Sequence, residues 1–550
     1  MLTYTPPEQR QAPDTHEKPW LLLLLVFAWL WPGVFSHGLW NPSEPAVLTA
    51  VEALRSGAQP WVAEVLGQPD FSIPPVYVWL AAALQALFAP WALDAYAAVR
   101  LTSVLFTVVG LWTCGAAGFH FLGRHHGRSV VLILIGSLGL LAPAHLMNPM
   151  SAVFAALGMV LCGFALTKTR VIVSALLLGG GWLLLALTAG WLLPLALILL
   201  AFLLMLHPQW QFKRYPLALF GAFAVAVPLM TLYPLVLMRT EPDLYSIWLN
   251  HHIWGAFGGM SGFQTAFSLP YYLKNLLWFA LPAWPLAVWT VSRKRHNSEG
   301  WSGLAMAWLL LASVLLAFQP QRFQENLIWL LPPLALLGAA QLDALRRGAA
   351  AFINWFGIMA FGLLAAFLWL GFAAMNYGWP AKLAERAQYF SPYYLPDIDP
   401  MPLTVAALFT PLWLWAITRR HIRGRQAVTN WAAGVTLVWA LLMTLFLPWL
   451  DAAKSYQPVV QQMEASLYPE LQHQFAQGHE CISVDAADKR SRIAWAQYSD
   501  WPLQPDNAAC RYRLVQQPKD TAAPQGWTKL WQGARPRNKT EGFALLRRDF

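Results

Sequence analysis

HGLWNPSEPAVLTAVEALRSGAQPWVAEVLGQPDFSIPPV, residues 37–76, is a polar, acid-bearing stretch in a chain that is otherwise mostly apolar. It follows an apolar run that begins near residue 20, and further apolar runs continue from it to about residue 450. Two features mark it: the turn Asn41-Pro42-Ser43-Glu44-Pro45, and Asp70 just ahead of Pro74-Pro75. A long polar loop held between membrane-length segments reads as a working surface, since irregular loops of more than about 15 residues are uncommon unless used.

Composition places the chain in a bilayer. Of 550 residues 57% are hydrophobic and only 12% charged, with 31 Trp; mean hydropathy is +0.43. That is too apolar for a soluble protein of this length. The net charge of +10 suggests nucleic-acid binding at first sight. The basic residues, however, sit in short clusters between apolar runs, which is the pattern of cytoplasmic loops and excludes a nucleic-acid face.

Apolar runs of about 17–25 residues, the length that crosses a bilayer, begin near residues 20, 100, 129, 150, 171, 190, 216, 275, 301, 326, 351, 403 and 429. With thirteen spans and a cytoplasmic N-terminus (residues 1–19, an uncleaved anchor following), every basic cluster lies inside: Arg124–Arg128, Lys168–Arg170, Lys213-Arg214, Arg293-Lys294-Arg295, Arg346-Arg347 and Arg419–Arg425. A further crossing at 74–91 would invert the later clusters, so that segment is placed on the outer face as an amphipathic or re-entrant piece. The outer regions are then 37–99, the Met147-Asn148-Pro149 turn, 239–274, the connection 319–325 with the loop 375–402, and the tail 451–550.

The tail reads as a small α/β domain, with a helix over 456–477 and strands at Cys481–Val484, Tyr512–Val515 and Phe543–Leu546. Cys481 and Cys510 are either a disulfide in an oxidising compartment or two buried thiols; Cys114 and Cys162 lie in apolar runs, and no spacing suggests a metal site. Asn538-Lys539-Thr540 fits a glycosylation triplet, but one is expected by chance in a chain this long. No internal repeat or pair of broken helices points to a transporter.

Ionisable groups at a membrane boundary are expensive, which makes them the candidates for chemistry. Glu44 is open to two readings, a catalytic carboxylate or, with Ser43, part of a helix cap. Glu52 and Arg55 read as a solvated helix pair. Trp248–Gly255 carries His251 and His252, followed by Gln264 and Tyr271-Tyr272. Adjacent histidines on a helix diverge by about 100° and seldom share one ion, so a hydrogen-bonding His beside a polar substrate, or simply an interfacial helix, are the readings there. Arg322 and Glu325 lie in a short outer connection, where the guanidinium either binds a lipid phosphate or snorkels to headgroups.

In this order the pieces resemble a known family. PPVYVWLAAALQALF (74–88), AAVRLTSVLF (97–106), the NHHIWG loop (250–255) with Tyr271-Tyr272, Leu281-Pro282-Ala283-Trp284-Pro285, and QPQRFQENLIWLLPPLALLGAA (319–340) are similar to the polyprenyl-phosphate-sugar glycosyltransferases of the protein O-mannosyltransferase superfamily. Among these the chain is most like the bacterial lipid A aminoarabinose transferases, over most of residues 20–345. The resemblance implies an all-α polytopic domain of the C-class glycosyltransferase fold (20–450) with a periplasmic α/β domain (451–550), in the bacterial inner membrane. It implies transfer of a sugar from a polyprenyl-phosphate carrier to a lipid (lipid A-like), glycan or protein acceptor, with no nucleic-acid partner.

The chain also departs from the family's pattern. Ser43-Glu44 stands where the family has Asp-Glu, Ile73 where it has a Lys beside the carrier phosphate, and Asn148 where it has a second Asp; Arg322 is retained, with Asn326 in place of a Tyr. The expectation is that Glu44 or Asp70 is the acceptor's base, that Arg322 with Arg100 covers the phosphate, and that Ser43, Asn148, His251, His252 and Tyr271 bind substrate. The resemblance admits a divalent ion; two acids fewer argue against it, because hard cations want carboxylate oxygens. The alternative is a homologue that keeps the fold, has lost transfer, and binds lipid or glycan as an assembly partner.

Overall fold

The computed structural model describes residues 19–549 apart from 36, 41–42, 90, 294–298, 397, 419–422, 502, 519–520 and 537–541. Asn41 and Pro42 of the first turn, most of the 293–295 and 419–425 basic clusters and the 538–540 triplet lie outside the described residues.

Helices begin close to each of the thirteen expected positions. Seven of them, among the described residues, are by themselves long and apolar enough to cross a membrane, with an eighth if the pair Arg124–Ile135 and Leu138–His145, bent by 70°, is one span. The others are shorter: Trp20–Leu30, Met150–Leu166 and Leu192–Leu204 are apolar helices of 10–17 residues, Leu269–Phe279 and Ala283–Val291 share one expected span, and Gln324–Leu330 is a 3-10 helix leading into Leu331–Ala340. The spans therefore form a bundle of full-length and broken helices. Prolines mark several of the breaks, at 149, 282 and 332–333. The segment expected to lie on the surface is the helix Pro75–Phe88, which packs against Ala95–Leu122 and Ser43–Arg55.

The five regions read as outer come together at one end. Ser391 Oγ donates to Trp449 O at 3.1 Å and Tyr393 to Gln462 at 3.2 Å, so the 375–402 loop lies on the start of the tail. At the other end Arg425 pairs with Asp343 at 2.6 Å and Arg214 donates to Lys168 O at 2.8 Å, gathering the basic loops.

The tail is an α/β unit with its own core around Tyr456, Phe475, Trp495 and Phe543. Its five-stranded sheet has the order Leu503–Pro505, Ile482–Val484, Tyr512–Gln516, Gly542–Arg548, Trp527–Ala534; the first three strands are parallel and the last two pairings antiparallel. Cys481 and Cys510 are disulfide-bonded. The expected helix over 456–477 is two, Gln457–Ala465 and Pro469–Ala476, divided at Pro469.

Candidate functional site

The first loop folds as helix, hairpin, helix. Ser43–Arg55 is followed by strands Ala63–Val65 and Gln68–Asp70, paired antiparallel about Leu66-Gly67, both at positive φ (54° and 75°). Gly67 suits such a two-residue turn, whereas Leu66 stands at a positive φ that side chains rarely adopt, so the pair is only a weak hairpin signal. The hairpin ends its second strand on Asp70.

The structure moves Glu44 away from the site. Its side chain and that of Arg100 are both 0% exposed, and Arg100 Nε donates to Glu44 Oε1 at 2.8 Å and Nη2 to Oε2 at 3.1 Å. Glu44 also accepts from Trp40 N at 2.8 Å and Met147 N at 3.1 Å, while Arg100 donates to the carbonyls of His37 and Gly38. Burial alone would push the Glu44 carboxyl up, but the Arg100 guanidinium outweighs it and holds the acid below its ordinary value. This is a saturated internal ion pair that ties the first loop to the helix Ala95–Leu122 and the Asn148 turn. Neither residue lines the cavity, so the expectation of Glu44 as base and Arg100 as phosphate ligand is corrected. Glu52 and Arg55 do not pair with each other either: Arg55 donates to Gln85 and Glu52 accepts from Gln497.

A cavity of about 1040 Å³ lies between the first loop, the Asn148 turn, the 248–264 segment and the 319–326 connection. Seven of the nine expected residues line it: Ser43, Asp70, Asn148, His251, His252, Tyr271 and Arg322. Part of its wall is apolar, from Met150, Ala186, Leu187 and Trp329. The 248–264 segment is fixed by a close backbone approach. Trp191 N donates to Ile253 O at 2.8 Å, and a Cβ on Gly255 (φ +65°) would stand 2.1 Å from Ala189 O.

Asp70 accepts from Ser72 N at 2.9 Å and Ser72 Oγ at 2.6 Å, and pairs with Lys489 of the tail. Burial works to raise its pKa, yet Lys489 and the two Ser72 hydrogen bonds together bring it below 3.8. Arg322 differs: Nε donates to Ser268 Oγ at 3.2 Å, and among the described residues it has no acidic partner, leaving the terminal nitrogens for an anion. His252 stacks on Phe71 at 4.6 Å, and burial, helped by His251, holds its pKa below 6.5, so the ring is neutral near pH 7.

Several lining residues were not singled out as ligands from sequence. Glu325 accepts from Asn148 Nδ2 at 2.9 Å. Gln319 is fully buried, accepts from Tyr272 OH at 3.0 Å through Oε1, and has Nε2 without a partner. Gln321 and Asn326 extend this amide wall. Their signal was the polar run QPQRFQEN between two apolar spans, in which Gln319, Gln321 and Gln324 drew no notice. Among the described residues no three of His, Cys, Asp and Glu converge as a metal set. Of the two lining carboxylates, Asp70 is neutralised by Lys489 and Glu325 is bound to Asn148 through one oxygen, a poor donor set for a hard cation.

No family model matches the sequence, and no curated protein matches it. Solved structures do match the fold. ArnT from Cupriavidus metallidurans in the apo state superposes with a TM-score of 0.59 at 14% identity, covering 96% of both chains. The same protein bound to undecaprenyl phosphate gives 0.56 at 14% identity, over 96% of this chain and 97% of that one. The Archaeoglobus fulgidus oligosaccharyltransferase tethered with an acceptor peptide gives 0.47 at 11% identity, over 89% of this chain and 64% of that one. Over almost the whole length of both chains, this protein has the fold of ArnT.

Proposed function

We propose that this protein is an integral membrane glycosyltransferase of the bacterial inner membrane. It takes a sugar from a polyprenyl-phosphate carrier and transfers it, on the periplasmic side, to a lipid (lipid A-like), glycan or protein acceptor. The single observation that carries the reading is Arg322, a guanidinium that has no acidic partner among the described residues, in a cavity whose other walls are amide, carboxylate, imidazole and apolar. It supports the reading that a structure of the same fold, ArnT, is bound to undecaprenyl phosphate.

The chemistry follows from the lining. In transfer, the bond from the anomeric carbon to the phosphate oxygen breaks and negative charge builds on the departing phosphate. A planar guanidinium already in place stabilises that charge without reorganisation. The apolar wall suits the first isoprene units, while Tyr271 and His251 offer hydrogen bonds to sugar hydroxyls. Asp70, held ionised by Lys489, orients rather than accepts a proton, because a carboxylate of lowered pKa is a weak base.

Binding of undecaprenyl phosphate to the purified full-length protein tests the reading. Arg322→Ala is expected to weaken it at least about tenfold, with Arg322→Lys intermediate because a point charge replaces a fork. Unchanged affinity in Arg322→Ala moves the phosphate elsewhere. Intact binding with no turnover of any polyprenyl phosphoryl sugar favours the non-catalytic alternative.

A further inference from the structure

Resting on the transferase reading, we propose that Glu325 is the catalytic base that takes the proton from the acceptor hydroxyl. Two acids line the cavity, Asp70 and Glu325. Asp70 is neutralised by Lys489, and Glu44, outside the cavity, by Arg100. Glu325 has no cation partner among the described residues. Its single hydrogen bond is the one from Asn148 Nδ2 to Oε1 at 2.9 Å, so Oε2 is free to meet a substrate.

The tether is fixed in sense. Asn148 Oδ1 accepts from Met150 N at 2.9 Å, so the amide must present its NH₂ to Glu325. That donor positions the carboxylate without neutralising it. Glu325 also lies three residues from Arg322, on the first turn of Gln324–Leu330, so one short segment carries both the base and the phosphate-binding group. Burial raises its pKa above the ordinary 4.5, with Asn148 offsetting part of the rise, which makes it a stronger base than Asp70.

The step balances as follows. The acceptor O–H proton passes to Glu325 Oε2 as the acceptor oxygen bonds to the anomeric carbon. The carbon–oxygen bond to phosphate breaks, its electron pair leaves with the polyprenyl phosphate, and Arg322 meets the added charge. Glu325 then returns the proton to water.

The test uses the full chain in proteoliposomes, with a panel of undecaprenyl phosphoryl sugars (neutral hexose, N-acetylhexosamine and amino-pentose) and a Gram-negative membrane lipid extract as acceptor. Glu325→Gln, which keeps an acceptor for Asn148, is expected to slow transfer about 10²–10⁴-fold. Its undecaprenyl phosphate affinity should stay near the parent's, and Glu325→Asp should recover part of the rate. The parent rate should rise with pH through a raised carboxylate pKa, a limb that Glu325→Gln lacks. Near-parent transfer by Glu325→Gln overturns the role of Glu325 and leaves the transferase reading standing; if Asp70→Asn is the inactive variant, the base is Asp70. No turnover by the parent, with undecaprenyl phosphate still bound, overturns both.

Discussion

Four hydrogen bonds from Arg100, Trp40 and Met147 occupy the Glu44 carboxylate, and their energetics separate a structural acid from a working one. Removing one partner of a buried ion pair costs about 3–5 kcal/mol, because the other charge is stranded. Glu44→Gln should therefore lower the thermal unfolding midpoint markedly. The double variant Glu44→Leu/Arg100→Met should regain much of that stability, since well-packed apolar pairs often replace buried ions at little cost. If the doubly substituted protein also transfers sugar, Glu44 is not the base. Gln319 is structural as well: it is buried and its Oε1 accepts from Tyr272 OH at 3.0 Å, so Gln319→Leu leaves that hydroxyl short of a partner and is expected to cost about 1–3 kcal/mol, read as a lower unfolding midpoint. From sequence Glu44 and Asp70 looked alike, each an acid beside prolines. Each has a cation opposite, and those cations come from residues 56 and 419 positions away.

Among the elements, the segment 248–264 is held in part by backbone contact, where Gly190 meets Gly255. An alanine at 255 would meet both a positive φ and a carbonyl oxygen at 2.1 Å, so the loop must shift. Gly255→Ala is expected to weaken undecaprenyl phosphate binding through displaced His251 and His252, more than it lowers overall stability, a split that paired binding and unfolding assays read. The hairpin 63–70 was missed because three-residue strands carry little periodicity and because Leu66, a bulky residue at positive φ, is not what such a turn usually shows in sequence. The thirteen helix starts were legible because membrane-length apolar runs are a strong signal; where they break was not, since breaks depend on packing as well as on proline.

For the molecule as a whole, the tail holds the first loop. Its helix Lys489–Tyr498 pairs Lys489 with Asp70, donates from Arg492 to Leu66 O at 3.2 Å and from Gln497 to Thr49 and Glu52 at 3.1 Å, and buries Ile493 in the first loop's core. The folded pKa of Asp70 lies below the ordinary 3.8, so its contribution is complete above that value and is lost as pH falls through the folded pKa. Lys489→Met removes the group that keeps Asp70 low, so loosening of the 63–70 hairpin, followed by hydrogen exchange, should begin at higher pH than in the parent. The Cys481–Cys510 disulfide closes a separation of 29 residues between neighbouring parallel strands. Its removal is expected to cost about 3–4 kcal/mol in the tail by the chain-entropy model. A reporter fused after residue 455 is expected on the periplasmic side; a cytoplasmic signal would overturn the proposed orientation.

The sequence by itself determined a multi-pass helical bundle with a small α/β tail and the polar segments from which a site is drawn, because apolar length, charge clustering and strand alternation are local properties of the chain. The loop 37–76 supplies part of a cavity that seven of the nine expected residues line. Only the tertiary structure decided which acids are available there. It buried Glu44 against Arg100, capped Asp70 with a lysine from the far end of the chain, and left Glu325 held by an amide. Whether a carboxylate is neutralised depends on which charge the fold brings within a few ångströms, and no spacing along the chain encodes that.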